Sequence, residues 1–487
     1  MLNYNNNKMK KYIILSIAAL SFLTSTACMD DYLNEPSPSQ QGSVTPEEAF
    51  STKSNATAVI AGMLRQQRRP WNEYDRTDVG GLYSLLFARA VKGSDIQLNE
   101  NWYGDDYRNE DREPTSNRSG FTWRFPYMMI GRSNYFIEGV EDSEGIVDTD
   151  KPALLAQAKA IRGFYYFQLA LEFNHAYKNN PQAIAPPVYT TVDLEGKPMG
   201  TLEELYKQII SDLEYAVENT STTRIDNSWV NKQVAAAMLA NVYLSMENWS
   251  GTEEMAKLAY GGNVTEALNN ISTYQPSGFN NAGDKEWLWS MSQQADQSNY
   301  YFMAPHAFFS PSGYGNAFVN TTFYDSFDEN DRRKEAMSIT NSNFEATDIR
   351  YLSSNKFNFS FGGSMAIYRT PEFILVAAEA AARQGNSLEA QQILNQFKTT
   401  RYTECIDQNL TGTALIDEIL LERRKEMYGE NGIQWFDAKR LQQGIERSGN
   451  HSVKINLAPN DIRFIMKVPQ VEIDNNKHID ASVNNNR

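Results

Sequence analysis

Residues 370–400 read TPEFILVAAEAAARQGNSLEAQQILNQFKTT, and this stretch decides the fold class. Thr370-Pro371-Glu372 is typical of a helix start, because proline is tolerated in the first helical turn. The residues that follow, up to Arg383, are apolar on nearly every side, which predicts a buried helix. Gly385-Asn386 ends it, and Ser387 is predicted to cap a second helix. The stretch is therefore a helical hairpin.

Helical patterns recur along the chain. Leu202, Leu205 and Ile209 share one helix face, with Thr201 and Glu204 as a capping box. Further helices are predicted over 153–173, 234–246 and 252–260. Small residues at facing positions of the hairpins resemble tetratricopeptide-type pairs. The predicted fold class is all-α, with such pairs, long loops and a few short strands, placed at 286–290 and 463–468.

The N-terminal residues have the pattern of an export signal. A basic start is followed by the apolar run 12–23, which is too short to span a bilayer, and by small residues. Cys28 comes directly after them, so we expect lipidation of Cys28 and a mature chain that begins there. Residues 1–27 are then a lipoprotein signal peptide, and residues 28–44, broken by prolines, a lipidated flexible tether.

Composition and motifs exclude several classes of protein. The net charge of −15 and the lack of basic blocks argue against nucleic-acid binding. The four histidines are scattered, and neither an H-E-x-x-H nor a G-x-S-x-G motif occurs. We therefore predict no catalytic residues, no metal and no cofactor. The acid-rich residues 325–331 are interpreted as a helix start or a salt-bridged turn, and residues 422–426 as a solvated or interhelical ion network.

Two irregular stretches, about 70–120 and 275–330, are rich in Tyr, Trp, Asn, Gly and Asp. Stretches this long are usually functional or contain small elements of their own. Flat aromatic rings stack on the C–H faces of sugars, and Asn, Asp and Arg bond their hydroxyl groups. The candidate ligand-binding residues are Trp71, Tyr74, Arg76, Asn101, Trp102, Tyr103, Asp105, Tyr107, Asn299, Tyr300, Tyr301 and Tyr314. The alternative for aromatic residues here, such as Trp289 and Phe308, is core packing.

A series of motifs resembles the SusD/RagB family of outer-membrane nutrient-uptake lipoproteins. In chain order, the similar segments are Cys28-Met-Asp-Asp-Tyr-Leu33, Lys92-Gly-Ser-Asp95, Trp123-x3-Tyr127-x2-Ile130, Arg162-Gly-Phe-Tyr-Tyr-Phe167, Phe323-x3-Phe327-x3-Asp331-x-Arg333, Arg369-x2-Glu372-x6-Glu379, Glu422-Arg423-x2-Glu426, Glu430-x-Gly432-x2-Trp435-Phe436-Asp437-x2-Arg440 and Pro469-x2-Glu472. One departure is Gln434, which stands where the family usually has arginine. The resemblance covers nearly the whole mature chain and implies one SusD-like domain over 45–487.

The resemblance implies a binding protein. Such proteins are anchored by lipid in the outer membrane, face the cell exterior, capture oligosaccharides and pass them to a SusC-like TonB-dependent transporter. Two alternatives stay open. Some relatives take peptides, which would need a groove of polar backbone and less exposed stacking surface. The helical surface would otherwise act mainly as a scaffold that docks on the transporter.

Overall fold

The computed structural model describes residues 44–68, 78–99, 102–279, 281–293, 305–337, 339–404 and 408–487. No helix within these ranges is long and apolar enough to cross a membrane. The signal peptide and nearly all of the tether lie outside the described residues. The same holds for eight of the predicted site residues: Cys28, Trp71, Tyr74, Arg76, Asn101, Asn299, Tyr300 and Tyr301.

Helices dominate the described residues. In chain order they are α1 (Pro46–Ala49), α2 (Lys53–Gln66), α3 (Gly81–Val91), α4 (Gly104–Arg108), α5 (Asn117–Glu141), α6 (Lys151–Phe173), α7 (Leu202–Asn219), α8 (Lys232–Met246), α9 (Trp249–Tyr260), α10 (Val264–Ala267), α11 (Pro305–Phe309), α12 (Thr321–Tyr324), α13 (Lys334–Met337), α14 (Thr370–Arg383), α15 (Ser387–Lys398), α16 (Gly412–Glu426), α17 (Ile433–Arg440) and α18 (Gln470–Asn475).

The helix signals in the sequence are mostly confirmed. Helix α14 has the predicted bounds and is buried nearly all round. At the start of α7, the Thr201 side chain accepts from the Glu204 amide and the Glu204 carboxylate accepts from the Thr201 amide, which is the predicted capping box. The prediction that Ser387 caps α15 is wrong, because Asn386 occupies the N-cap position and makes no side-chain capping bond.

Long helices pack in sequence order to form the main core. Helix α5 packs on α6, α6 on α7, α7 on α8 and α8 on α9, and α14 then packs on α9, α15 and α16. At the α6–α7 crossing, a Cβ on Gly163 would lie 3.0 Å from Leu213 Cγ. The neighbouring Arg162 forms a buried ion pair of 2.7 Å with Asp212. The all-α class is confirmed, while tetratricopeptide-type pairing stays a prediction.

The strands are short and form two-stranded antiparallel sheets, β1–β5, β2–β3, β4–β8, β6–β7 and β9–β10. Their bounds are β1 (Ile96–Leu98), β2 (Ile184–Ala185), β3 (Gly200–Thr201), β4 (Trp287–Met291), β5 (Ala317–Val319), β6 (Ile339–Thr340), β7 (Leu352–Ser353), β8 (Met365–Arg369), β9 (Ile445–Glu446) and β10 (Asn456–Leu457). The strand expected at 286–290 is confirmed. The one at 463–468 is wrong, since that segment begins in a 3₁₀ turn, Ile462–Phe464.

The two irregular stretches contain elements of their own. The first contains α3, β1, α4 and the start of α5, and the second contains β4, α11, β5 and α12. Together they build a second hydrophobic core, which includes Phe87, Phe308, Phe309 and Tyr428. Core packing is therefore the correct interpretation of Phe308 and Phe309.

Residues 422–426 belong to a buried ion network. Glu426 lies 2.9 Å from Arg369 and 3.0 Å from Arg401, and Glu422 accepts from Arg333 at 2.5 Å. All five of these side chains are almost completely buried. Of the two alternatives for these residues, the interhelical network is confirmed, because Arg423 of α16 also binds Glu372 of α14 at 3.3 Å and Asp437 of α17 at 2.7 Å. The predicted salt-bridged turn at 325–331 is also present, since Arg333 binds the Asp331 carboxylate at 2.7 Å.

Candidate functional site

Antiparallel pairing of β1 with β5 joins the two aromatic-rich stretches. Leu98 pairs with Ala317, and the Asn99 amide donates to the Asn316 carbonyl at 2.9 Å. The chain continues to Trp102 after β1, and it passes Tyr314 before β5. Because the strands are antiparallel, these two residues emerge at the same end of the ladder.

Trp102 and Tyr314 form an edge-to-face pair at this end. Their ring centroids are 4.8 Å apart, with an angle of 65° between the planes. Trp102 is 38% exposed and Tyr314 36% exposed, so both keep open ring surface. These are the two described residues among the stacking candidates whose rings reach solvent. We call them the aromatic pair.

Buried rings hold the aromatic pair in place. Phe308 stacks on Tyr314 with centroids 5.5 Å apart, and Phe87 of α3 stacks on Phe308 at 5.0 Å. Phe308 also meets the Trp102 ring edge-to-face at 6.2 Å. Both phenylalanines are buried. The pair therefore rests on the second hydrophobic core rather than on a free loop.

The turn that carries Tyr314 is folded tightly onto α11. The Tyr314 amide donates to the Ala307 carbonyl at 2.6 Å, and the Asn316 amide to the Phe308 carbonyl at 2.9 Å. A Cβ on Gly313 would lie 2.5 Å from the Ala307 oxygen, a distance that real Cβ atoms do not show. Glycine is thus required at 313 for this close approach.

The structure corrects two of the stacking candidates. Tyr103 is completely buried and packs edge-to-face on Phe87 at 4.8 Å. Tyr107 is 3% exposed, and its hydroxyl lies 2.8 Å from His451 Nδ1. Neither ring has an open face for a sugar, so both belong to the support beneath the pair. Sequence could not show this, because polar neighbours such as Asp105 and Asp106 surround both residues.

Charged groups on α4 divide into an exposed and a buried set. Asp105 is partly exposed and forms an ion pair with Arg108, which also donates to Glu110 at 2.9 Å. Asp106 is buried and binds Arg118 at 2.8 Å. Burial raises the pKa of Asp106 to about 6, although Arg118 opposes the shift. Asp105 is the charged candidate that remains accessible close to Trp102 in sequence.

Asp78, Asp106 and Asp111 form the one group of possible metal ligands found in the described residues. Their carboxylate oxygens lie within 4.8 Å of one another. Arg118 already lies among them, with Nη2 at 3.2 Å from Asp78 and 2.8 Å from Asp106. A guanidinium in this place supplies the positive charge that a cation would bring.

A separate groove lies elsewhere in the described residues. Its volume is about 590 Å³, and it runs along α5 between the extended segment 189–196 and α18. Gly131 opens into it, and a Cβ there would meet nothing within 4 Å. The groove shares no lining residue with the aromatic pair, so the two are separate candidate surfaces.

Comparisons with known proteins agree with this architecture. Residues 31–244 match the profile of a SusD-like family described as starch-binding and associating with the outer membrane, and residues 355–480 match that of the SusD family. This chain belongs to the SusD/RagB family. It is 25% identical to the SusD-like protein P2 of Formosa agariphila, over 92% of this chain and 94% of that protein.

Solved members of the SusD superfamily share the fold. A SusD-like carbohydrate binding protein from Bacteroides vulgatus has a TM-score of 0.77 at 26% identity, over 88% of this chain and 97% of that one. Surface glycan-binding protein A from Bacteroides thetaiotaomicron, in complex with laminarihexaose, has a TM-score of 0.65 over 88% and 98% of the two chains. At 16% sequence identity, this similarity shows a common fold only.

In this SusD/RagB protein, two residues that join the elements near the aromatic pair were not predicted from the sequence. Buried Arg447 donates to the carbonyls of Val91, Lys92, Gly93 and Tyr107, which joins the end of α3 to α4. Gln434, the departure from the family pattern, accepts from the Ser94 amide at 2.6 Å. The Gln434 side chain also donates to the Ser94 hydroxyl, and among the described residues neither Arg447 nor Gln434 forms an ion pair that a pattern of opposite charges in the sequence could reveal. The one available signal was that Gln434 replaces a family arginine.

Proposed function

We propose that this protein is a cell-surface glycan-binding lipoprotein that captures oligosaccharides and delivers them to a SusC-like TonB-dependent outer-membrane transporter. The observation that carries the proposal is the aromatic pair. Two partly exposed aromatic residues, Trp102 and Tyr314, rest on a buried stack of rings. Ring faces of this kind stack on the apolar faces of sugars, each contact contributing about 1 kcal/mol.

The pair is built for stacking rather than for catalysis. Phe308 and Phe87 fix the orientation of both rings before a ligand arrives, which lowers the entropy cost of binding. Asp105, three residues after Trp102, offers carboxylate oxygens that can accept hydrogen bonds from sugar hydroxyl groups. The predicted residues outside the described ranges, Tyr300 and Tyr301 among them, stay candidates from the sequence alone.

Membrane attachment and the class of ligand are supported by further observations, and transporter delivery rests on the family resemblance. Cys28 follows an export signal, and the matched family is described as associating with the outer membrane. Lipid on Cys28 would provide the anchor, since two or three acyl chains hold a protein firmly. The similarity to a SusD-like carbohydrate binding protein and to a surface glycan-binding protein supports the ligand class.

A binding screen tests the proposal. The soluble chain that begins after Cys28 is titrated with a panel of neutral oligosaccharides, and peptides of similar size serve as controls. We expect binding of one glycan class with a Kd on the order of micromolar or weaker. Binding of peptides alone would move the function to peptide capture, and binding of neither class would favour the docking scaffold.

A further inference from the structure

A second cavity, of about 340 Å³, lies where α6 ends and α7 begins, beneath the last residues of the chain. That volume is at the lower end of the range for small-molecule sites. Polar groups that line it include Asn174, His175, Asn180, Ser482, Asn486 and Arg487. No Asp or Glu side chain lines it, although the protein as a whole has a net charge of −15.

The Arg487 guanidinium is the charged group in the cavity wall. It is 9% exposed, and its two terminal nitrogens donate to main-chain carbonyls, to Phe173 and, at 2.7 Å, to Ile184. Among the described residues no carboxylate forms an ion pair with it. Burial lowers its pKa to about 10. A buried cation that lacks a counter-charge is costly, so the site favours an anion.

Two further basic side chains, Lys439 and Arg112, influence the electrostatics of the cavity. Lys439 is buried, donates to the Leu171 carbonyl and has no ion pair in the described part of the chain. Arg112 is also buried, and its Nη2 has no hydrogen-bond partner. Both lower the pKa of His175, as Arg487 does, so their charges reach the cavity.

The acids nearby are already paired with other cations. Glu172 lies 2.7 Å from Arg89, and Asp461 lies 2.7 Å from Arg463. Glu113 is 2.6 Å from Lys467 and only 3.9 Å from Arg112. The nearby acidic side chains are therefore matched by other cations, which leaves Arg487 as a basic side chain of the cavity without a carboxylate side-chain partner among the described residues.

Polar atoms in the wall also lack partners. His175 Nδ1 and Asn174 Oδ1 are buried and make no hydrogen bond. Burial, with help from the three cations, lowers the pKa of His175 to about 4, so the ring is neutral at pH 7. In the Nδ1–H tautomer, the neutral His175 ring can donate to a bound anion, whereas Asn174 Oδ1 only accepts hydrogen bonds and takes no part in anion binding.

We propose that this cavity binds an oxyanion, in the form of a carboxylate or a sulfate group, with the Arg487 guanidinium as its charged partner. Guanidinium groups bind carboxylate and other oxyanions strongly through parallel hydrogen bonds. The site is separate from the aromatic pair, since the two have no residue in common. The inference stands whether or not the pair binds glycan.

Calorimetric titration of the soluble chain at constant ionic strength tests the proposal. The probes are sodium sulfate, sodium glucuronate and, as the neutral control, glucose. We expect sulfate or glucuronate to bind and glucose not to bind at this site. Arg487→Gln should lower the affinity for the anion at least tenfold, and Arg487→Lys should retain part of that affinity. Arg350→Gln, in an exposed turn where Arg350 pairs with Asp348, should change nothing.

The two anions identify the source of the oxyanion. Tighter binding of sulfate indicates a sulfate group, and tighter binding of glucuronate indicates the carboxylate of an acidic sugar. Failure of both to bind the wild-type chain, or equal affinity in Arg487→Gln, would overturn the proposal. If Arg487→Gln does not fold, His175→Asp places a carboxylate in the cavity and should abolish anion binding, whereas His175→Asn should retain it.

An NMR titration of His175 measures the pKa of a residue that lines the cavity, and this pKa responds to an anion bound there. A bound anion favours the imidazolium form, so the pKa of His175 should rise from about 4 when the anion is present. The resonance is assigned by its loss in His175→Asn. An unchanged pKa at a saturating anion concentration would contradict binding in this cavity.

Discussion

Trp102 and Tyr314 lie edge-to-face, with ring centroids 4.8 Å apart, although they come from distant parts of the chain. The contact depends on the β1–β5 register, which places both residues beyond the same end of a three-residue ladder. A shift of that register would separate the rings. The proposed glycan site is therefore a product of strand pairing, and its integrity can be tested at several points.

Gly313 provides the first test, through the turn that carries Tyr314. Gly313→Ala should disturb the turn, because the added Cβ would meet the Ala307 oxygen at 2.5 Å. We expect glycan affinity to fall and unfolding in urea to occur at lower concentration. Gly62→Ala is the matched control, since a Cβ there meets nothing within 4 Å. Equal behaviour of the two variants would contradict the need for a close approach at 313.

Gly131 separates the aromatic pair from the groove along α5. Gly131→Trp should place an indole in that groove, because a Cβ at this position meets nothing within 4 Å. If glycan binds at the aromatic pair, its affinity measured by calorimetry should stay within twofold of the wild type. Gly62→Trp, on exposed α2, controls for the effect of an added surface tryptophan. A strong loss in Gly131→Trp alone would move the glycan site to the groove.

Glu426 tests the buried ion network. Glu426→Gln removes the charge that faces Arg369 and Arg401, leaving buried cations without compensation. We expect a loss of about 3–5 kcal/mol in the free energy of unfolding. Glu329→Gln breaks the pair with Lys334 at a 93% exposed carboxylate, and should cost about 0–1 kcal/mol. Similar losses in the two variants would show that the network contributes no more than a surface pair.

The lowered pKa of Lys439 predicts how the stability of the protein depends on pH. Burial lowers its pKa in the folded protein from the ordinary 10.5 to about 7, with Arg89, Lys92 and Arg487 adding to the shift and Glu172 opposing it. Between these values the unfolded chain binds more protons, so the contribution of Lys439 to stability rises with pH from about 7 to 10.5. The Lys439→Met variant should lack that rise, so the difference in the free energy of unfolding between the wild type and the variant should change from pH about 7 to 10.5. Parallel curves over this range would contradict the shift.

The helices and their order followed from local sequence, whereas the site did not. Helix α14 and the capping box at Thr201 are set by residues close together in the chain, so the pattern predicted them. Trp102 and Tyr314 were both named as candidates, but their contact depends on a pairing between β1 and β5 that no local pattern encodes. Long-range strand pairing is decided by tertiary packing.

Burial explains the remaining errors. Tyr103 resembles Trp102 in its polar sequence neighbourhood, yet Phe87 and Phe308 enclose it. For Glu422 and Glu426 the sequence left a solvated and an interhelical network open, and burial beside several arginines decides between them. Where a side chain is buried by partners from other parts of the chain, spacing alone does not reveal it.

The decisive test of Trp102 and Tyr314 as the glycan site is oligosaccharide binding by the Trp102→Ala/Tyr314→Ala double variant. The wild-type chain, both single variants and the double variant are titrated with the best oligosaccharide from the screen, and Tyr135→Ala, which truncates an exposed tyrosine on α5, serves as the control. We predict a loss of about tenfold or more in the double variant, since two stacking contacts of about 1 kcal/mol each disappear. Unchanged affinity in a folded double variant would contradict the assignment of the aromatic pair as the glycan site.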